Sequence, residues 1–564
     1  MKSPLPRTII IHIFGLLVAT FLLLSFPSKG FAGVSIPFTI NLSEAVNVTG
    51  TPRVAVDVSG ITRYATYTAG TGTSALTFTY EAVAGDIDLD GVVISSPIDL
   101  NGGTIKDLAG NDMTSLTFSP PNTTNVRVNY PSLSMDFTAS STGRYSLNGI
   151  VYNSFTSFLS AVGGTFTRTG STATYFDSSG TLQTAAADIP RFDYNPTTQV
   201  PRGILIERNS TNFIKNSVFS GINTATYTAS QSIPSTNWSV YIPTSGVSGQ
   251  SISLTPGTSI GIPYLDIRMQ VTNTGGVAAY LVFSPILSDN MSVSNGTVTI
   301  ASGWFGVTSY TSTGGTCSAN LENRSMTSTG NYITSAALAL TSVSPYQRRV
   351  TNTLTHGSTA AYASNWVYIA VPVGTTCDIT MRFGAPQIEQ GAVATSYIPT
   401  ATNATATRNA DNLTIPTTSG WNNATEGTLY VSALNGTNST TVGIAALNNS
   451  ASQSTNRITI IRTATSSIET LTSVGGVTQF QTSTASNGNN TLNNIGFAYA
   501  TNNFRNSVNG VLGALDTSGS LPTIDQLLIG RWNSGSASYY DGWIQKVKYY
   551  PLRVTDTQLQ LITQ

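Results

Sequence analysis

Apolar and polar side chains alternate along many short stretches of this chain. "RVAVDVS" (Arg53 to Ser59) places Val54, Val56 and Val58 on one side. "LTFTY" (Leu76 to Tyr80) does the same with Leu76, Phe78 and Tyr80. "YLDIRMQV" (Tyr264 to Val271) sets Leu265, Ile267, Met269 and Val271 against Asp266, Arg268 and Gln270. A period of two is the mark of a strand with one buried face. Turn words such as "SGIT", "AGTGTS", "NGG" and "AGND" separate the stretches. The Leu/Ala/Glu/Lys periodicity of long helices is missing beyond the N-terminal run. The pattern predicts an all-β chain, and its 564 residues exceed what one core can serve. Three or four tandem units are expected.

The N-terminus follows a different rule. Lys2 and Arg7 precede an apolar run from Thr8 to Phe26, and Gly30 and Ala32 are small residues at −3 and −1 of a cut after Ala32. This is the layout of a signal peptide over residues 1–32. The chain is therefore expected to be exported, secreted or on the cell surface; an uncleaved segment would be its one contact with a membrane. Export changes the meaning of Cys317 and Cys377, the only cysteines. In an oxidising compartment such a pair is expected to form one disulfide, with two separate buried thiols as the alternative. Charge adds an exclusion. The 26 basic and 26 acidic residues balance, and no basic stripe appears, so nucleic acid is not an expected partner.

Several longer words carry resemblances. "SEAVNVTGTPRVAVDVSG", "YTAGTGTSALTFTYEAVAGDIDLDGV" and "LNGGTIKDLAGND", within residues 33–128, resemble bacterial Ig-like repeats of the Swm-B type. That resemblance implies an Ig-like β-sandwich used as a spacer or adhesion module. Within residues 131–210, "TFTRTGSTATYFDSSGTLQTAAADIPRFDYNP" and "PRGILIERNSTNFIKNS" resemble a connecting segment of phage tail and prophage structural proteins. Residues 211–400 open on "TNFIKNSVFSG" and close on "CDITMRFGAPQIEQGAVATSYIPT", which resemble carbohydrate-binding modules of the galactose-binding-like jelly-roll kind. Residues 408–564 end in "LLIGRWNSGSASYYDGWIQKVKYYPLRVTDTQLQLIT", which resembles the close of laminin-G or concanavalin A-like jelly rolls, with a short helix starting near Asp556.

Candidate chemistry is sparse. Once residues 1–32 are removed, His356 is the only histidine. Histidine-dependent triads and zinc sites therefore lack parts, and His356 reads as a surface or loop residue. Glycoside hydrolysis needs only two carboxylates, but no glutamate sits in a catalytic strand word. Arg191, Asp193, Glu207 and Arg208 read as structural charges. "GDIDLDGVV" places Asp86, Asp88 and Asp90 at alternate positions in a chain of which only 9% is charged. With Asp86 as position 1, position 12 of an EF-hand loop would be Pro97, where a bidentate Glu is required. Calcium remains an expectation at Asp86, Asp88 and Asp90, aided by Asp107, Asn111 or Asp112, against a solvated turn.

Sugars are bound by aromatic faces and hydrogen-bonding groups. The six tryptophans all lie beyond residue 237. Trp532 sits in the polar loop "RWNSGSASYYDG" with Asn533, Tyr539, Tyr540 and Asp541, and Trp304 has small polar neighbours. These six are the expected carbohydrate-binding residues. Trp366 and Trp543, inside strand words, are expected in cores. The resulting expectation is an exported, non-catalytic multidomain protein that binds glycans or mediates adhesion. The alternatives are a phage-type receptor-binding component and a polysaccharide-cleaving enzyme.

Overall fold

The computed structural model describes residues 35–138, 144–344, 349–434, 440–488, 491–535 and 539–564. The expected signal peptide, residues 1–32, lies outside the described residues. The chain is nearly all β, built from antiparallel sheets that form sandwich-like units. The alternating words are strands: Arg53–Val58, Thr73–Glu81 and Ile262–Asn273.

The N-terminal unit is a six-stranded sheet in the order Val93–Asp99, Arg53–Val58, Ile61–Ala69, Thr73–Glu81, Ser35–Thr49, Thr104–Asp107. The 15-residue strand Ser35–Thr49 pairs with Thr73–Glu81 through its first part and with Thr104–Asp107 through its second. A register shift between Asn41 and Val46 lets it change partners. Val54, Val56, Val58, Leu76, Phe78 and Tyr80 form the buried face, as their alternation requires.

Residues 131–210 and 408–564 share their sheets. Leu133–Asp136 and Pro201–Ile206 both pair with Gly542–Tyr550, and Thr165–Thr167 pairs with Asn412–Pro416. The result is a ten-stranded sheet facing a seven-stranded one. Phe137, Tyr145, Phe155 and Phe158 from the first stretch enter one core with Trp421, Ile444, Phe497 and Tyr549 from the second. The helix Phe155–Val162 is capped by Ser154, whose side chain accepts from the Ser157 N–H, and ends on left-handed Gly163. The closing helix Asp556–Thr563 is capped in the same way by Thr555.

Residues 213–405 therefore form an insertion into this composite sandwich. Its entry and exit are tied side by side, because Ser210–Asn212 pairs with Ala406–Arg408. The insertion is itself a sandwich of a six-stranded and a seven-stranded sheet. Trp238 is fully buried in its core and stacks on Phe283 at 4.7 Å. A disulfide joins Cys317 and Cys377, with Cα atoms 6.3 Å apart.

Candidate functional site

A cleft of about 540 Å³ opens between the composite sandwich and the inserted one. The composite sandwich contributes Asp193, Arg202, Glu207, Asp541 and Trp543; the insertion contributes Ile300, Trp304, Arg349, Thr351 and Thr353. Three strands set the first wall. Phe192–Tyr194 pairs with Pro201–Ile206, which pairs with Gly542–Tyr550. Gly203 makes that approach feasible: its φ is +108°, and a Cβ there would lie 2.2 Å from the Ile544 carbonyl oxygen. Any larger residue would push the cleft's strands apart.

Trp543 is half-exposed between buried Gly542 and Ile544. Its indole N–H donates to Asp193 Oδ2 at 2.8 Å, and the Arg202 guanidinium lies 4.7 Å from its ring centre. Opposite, Trp304 is set on edge against Phe176 at 6.0 Å, with the Arg349 guanidinium 5.3 Å away. Trp304 lies in the strand Val298–Thr313 and is largely buried, so it walls the cleft without projecting into it. Asp541 is held by Arg208, which donates from its backbone N–H at 2.8 Å and from its guanidinium. Thr351, Thr353 and Thr197 line the rim as exposed hydroxyls.

A buried charge network stands behind the cleft. Arg191 bridges Glu207 at 2.7 Å and Asp411 at 2.5 Å. Arg408 reaches Glu207 at 3.1 Å, and Arg168 reaches Asp411 at 2.9 Å. Ser396 donates to Glu207 from its N–H and its hydroxyl, at 2.6 and 2.7 Å. Burial alone would raise the Glu207 carboxyl, but Arg408, Arg191 and Ser396 together bring it down to about 2. The opposite holds for Asp193 and Asp541, whose burial outweighs their partners and raises both carboxyls. The three acids are thus either locked in ion pairs or hydrogen-bonded to neighbours. Of the charges read as structural, Arg191, Asp193 and Glu207 are all buried, and Asp193 and Glu207 both line the cleft.

The depressed Glu207 carboxyl gives an expected pH effect. A carboxyl ordinary in the unfolded chain, at about 4.3, and near 2 in the fold adds stability that is complete above the ordinary value and lost as pH falls towards 2. Urea midpoints measured from pH 6 to 2 should show the gap between wild type and Glu207→Gln closing on the acid side. A gap constant with pH would mean that Glu207 is not held ionised by Arg191 and Arg408.

The structure separates the other expected residues. Trp532 is half-buried under Arg457, whose guanidinium lies 4.3 Å from its ring centre, and Asn533 accepts from the Gly535 N–H. Tyr539 and Tyr540 turn away into the core, with Tyr540 fully buried. Of the six expected sugar-contacting residues, only Trp304 and Asp541 share the cleft; residues 536–538 of the loop lie outside the described residues. Trp543 and Trp366, expected in cores, are half-exposed, because each points to the sheet face opposite its buried neighbours. His356, expected at the surface, is buried and hydrogen-bonded to Thr299 Oγ1 at 2.8 Å; burial lowers its pKa.

The acidic repeat is taken up by protein donors. Asp86 is fully buried; Arg63 donates to it twice, at 2.9 and 2.7 Å, and the Tyr80 hydroxyl and Val83 N–H donate to its other oxygen. Asp88 accepts from the N–H groups of Ser59 and Gly91, both at 2.8 Å. Burial holds its carboxyl above the ordinary range, and nearby Asp90 adds to that. Asp90 bonds to Gln558 of the closing helix, so it fastens the N-terminal unit to the composite sandwich. Asp107 accepts from Asn111 twice, closing a turn, and Asp112 pairs with Lys106 at 2.8 Å. Among the described residues no group of three or more His, Cys, Asp or Glu side chains gathers to hold a metal ion. Of the expected calcium ligands, Asp88 lies beside Asp90 and Asp107 beside Asn111, but among the described residues no third acid joins either pair.

No protein-family model and no curated protein matches the sequence. Among solved structures, the CBM40 of the Ruminococcus gnavus IT-sialidase, bound to α2,3-sialyllactose, aligns with a TM-score of 0.22 at 15% identity, over 25% of this chain and 83% of that one. A Trypanosoma rangeli sialidase in complex with the inhibitor DANA aligns at 0.21 and 12%, over 55% and 62% of the two chains. The CBM22-1–CBM22-2 tandem of Paenibacillus barcinonensis Xyn10C aligns at 0.19 and 10%, over 61% and 99%. The neighbours thus include carbohydrate-binding modules and sialidases, and likenesses at this level carry no functional weight.

Proposed function

We propose that this is an exported, non-catalytic protein that binds an oligosaccharide in the cleft between its two large sandwiches. The observation that carries the reading is the meeting of Trp543, Asp193, Asp541 and Arg202 with Trp304, Arg349 and the Thr351 and Thr353 hydroxyls around one cavity. An aromatic edge beside carboxylates, guanidinium groups and hydroxyls suits a ligand that is apolar on its ring faces and polar around its rim. Catalysis is disfavoured by the acids themselves. Glu207 is clamped by two arginines, and Asp193 and Asp541 each face an arginine, Arg202 at 3.6 Å and Arg208 in direct contact. A general acid must pass its proton to the ligand, and Asp193 and Asp541, though raised by burial, are already engaged by the Trp543 N–H and by Arg208. The N-terminal unit would act as a spacer, docked through Asp90 and Gln558.

A glycan array probed with the full chain tests the reading. Trp543→Ala should weaken binding of any hit about tenfold or more, since a well-placed aromatic contributes about 1.5 kcal/mol beyond its neighbours. Because the indole is half-exposed, the variant should stay folded. Unchanged affinity in the folded variant removes the cleft as the site. Release of reducing sugar from the bound glycan above the blank would overturn the non-catalytic assignment.

A further inference from the structure

The seven-stranded sheet of the insertion turns an aromatic face outwards, away from the cleft. Cα pairing places its side chains. Tyr241 is opposite Val282, and Val282 is opposite Tyr368; Tyr280 is opposite Ala370; Asn320 and Glu322 are opposite Tyr368 and Trp366. Partners in register, and residues two apart along a strand, share one face. Tyr241, Tyr280, Tyr368, Trp366 and Arg324 therefore lie together on the face opposite Leu281, Leu321, Val367 and Ile369, which fill the core. Tyr241 is 54% exposed and Tyr280 47%.

The patch is organised. The rings of Tyr280 and Tyr368 are 6.0 Å apart. The Arg324 guanidinium lies 3.8 Å from the Trp366 ring centre and 4.6 Å from that of Tyr332, so it stacks between two aromatics. Beneath it, Glu322 is 3% exposed, and its Oε2 has no hydrogen-bond partner; neither has Arg324 Nε. Glu322 and Arg324 face each other at 3.5 Å, so the patch carries no net charge. From Tyr241 to Tyr332 it crosses five neighbouring strands, roughly 19 Å at about 4.8 Å per strand.

We propose that this face is a second carbohydrate-binding surface, taking an extended neutral polysaccharide laid across the strands. Flat rings with hydroxyl tips alternate here with an amide, a guanidinium and a carboxylate. That mixture fits sugar rings better than aliphatic protein or lipid, which would leave the polar groups unpaired. The cancelled charge selects against acidic chains. The surface is independent of the cleft, which none of these residues lines.

Affinity electrophoresis of the full chain through gels containing xylan, mixed-linkage β-glucan or galactomannan tests the proposal. Retardation is expected in at least one gel. Trp366→Ala and Tyr280→Ala should each weaken it about tenfold, while Trp543→Ala should not. If Trp366→Ala fails to fold, Tyr280→Ala decides, because that ring is half in solvent. No retardation in any of the three gels overturns the proposal. So does retardation that survives Tyr280→Ala. Loss with Trp543→Ala alone would assign the polysaccharide to the cleft and refute the face, whereas oligosaccharide binding lost only in Trp543→Ala leaves the cleft reading standing by itself.

Discussion

Asp411→Asn is expected to destabilise the composite sandwich by about 3–5 kcal/mol, the usual cost of removing one partner from a buried ion pair. Asp411 is fully buried, as are Arg168 and Arg191. One oxygen accepts from Arg168 at 2.9 Å; the other accepts from Arg191 at 2.5 Å and from the Glu207 N–H at 3.0 Å. Asparagine keeps the shape but loses the charge. Its amide would also point N–H donors at a guanidinium or at another N–H. Arg168 would keep its bonds to the carbonyls of Ala186 and Ile189, which neutralise nothing. Melting should fall by roughly 10 °C for a unit of this size. Asp99→Asn, which breaks the partly exposed pair with Arg53, is the control and should leave melting unchanged. An equally small effect for Asp411→Asn would show that water reaches the network.

That network marks where sequence reading stopped. The strands were legible because alternation is local: "RVAVDVS" carries its own evidence. The composite sandwich was not, because its pairings are remote. Arg191 and Asp411 are 220 residues apart, and nothing in either neighbourhood names the other. The placement of Trp366 and Trp543 was within reach. In "NWVYIAV", Val367, Ile369 and Val371 form the consistently aliphatic set, so Trp366 and Tyr368 must face the other way. In "GWIQKV", Gly542 and Ile544 flank Trp543 and turn inwards together. Reading a tryptophan inside a strand as core neglected that a strand has two faces. Conversely, the Gly, Ser and Asn residues around Trp532 suggested an open loop, yet Arg457, distant in sequence, covers the ring. The partners of the acidic repeat were hidden for the same reason, since Arg63 and Gln558 reach Asp86 and Asp90 from 23 and 468 residues away.

Removing the disulfide is the second change expected to have a large effect, and it should act on the insertion alone. Cys317 precedes the strand Ser318–Met326 of the seven-stranded sheet, and Cys377 lies in the strand Thr376–Gln390 of the six-stranded one. The bond thus ties the two sheets of the inserted sandwich across its core, where both residues are buried. It closes a loop spanning 60 positions. Chain entropy alone values such a loop at about 4 kcal/mol, and native disulfides of this kind contribute about 2–5. Cys317→Ala with Cys377→Ala, or treatment of the wild type with a reductant, should therefore lower one calorimetric transition and leave that of the composite sandwich in place. The composite sandwich has its own core and shares no strand pairing with residues 213–405. Trp304 and Arg349 wall the cleft from the insertion, so oligosaccharide binding should be lost at the lower transition, before the composite sandwich melts. A single transition that moves as a whole would show that the two sandwiches unfold as one unit. Melting unaffected by reductant would show that the bond contributes nothing to the fold.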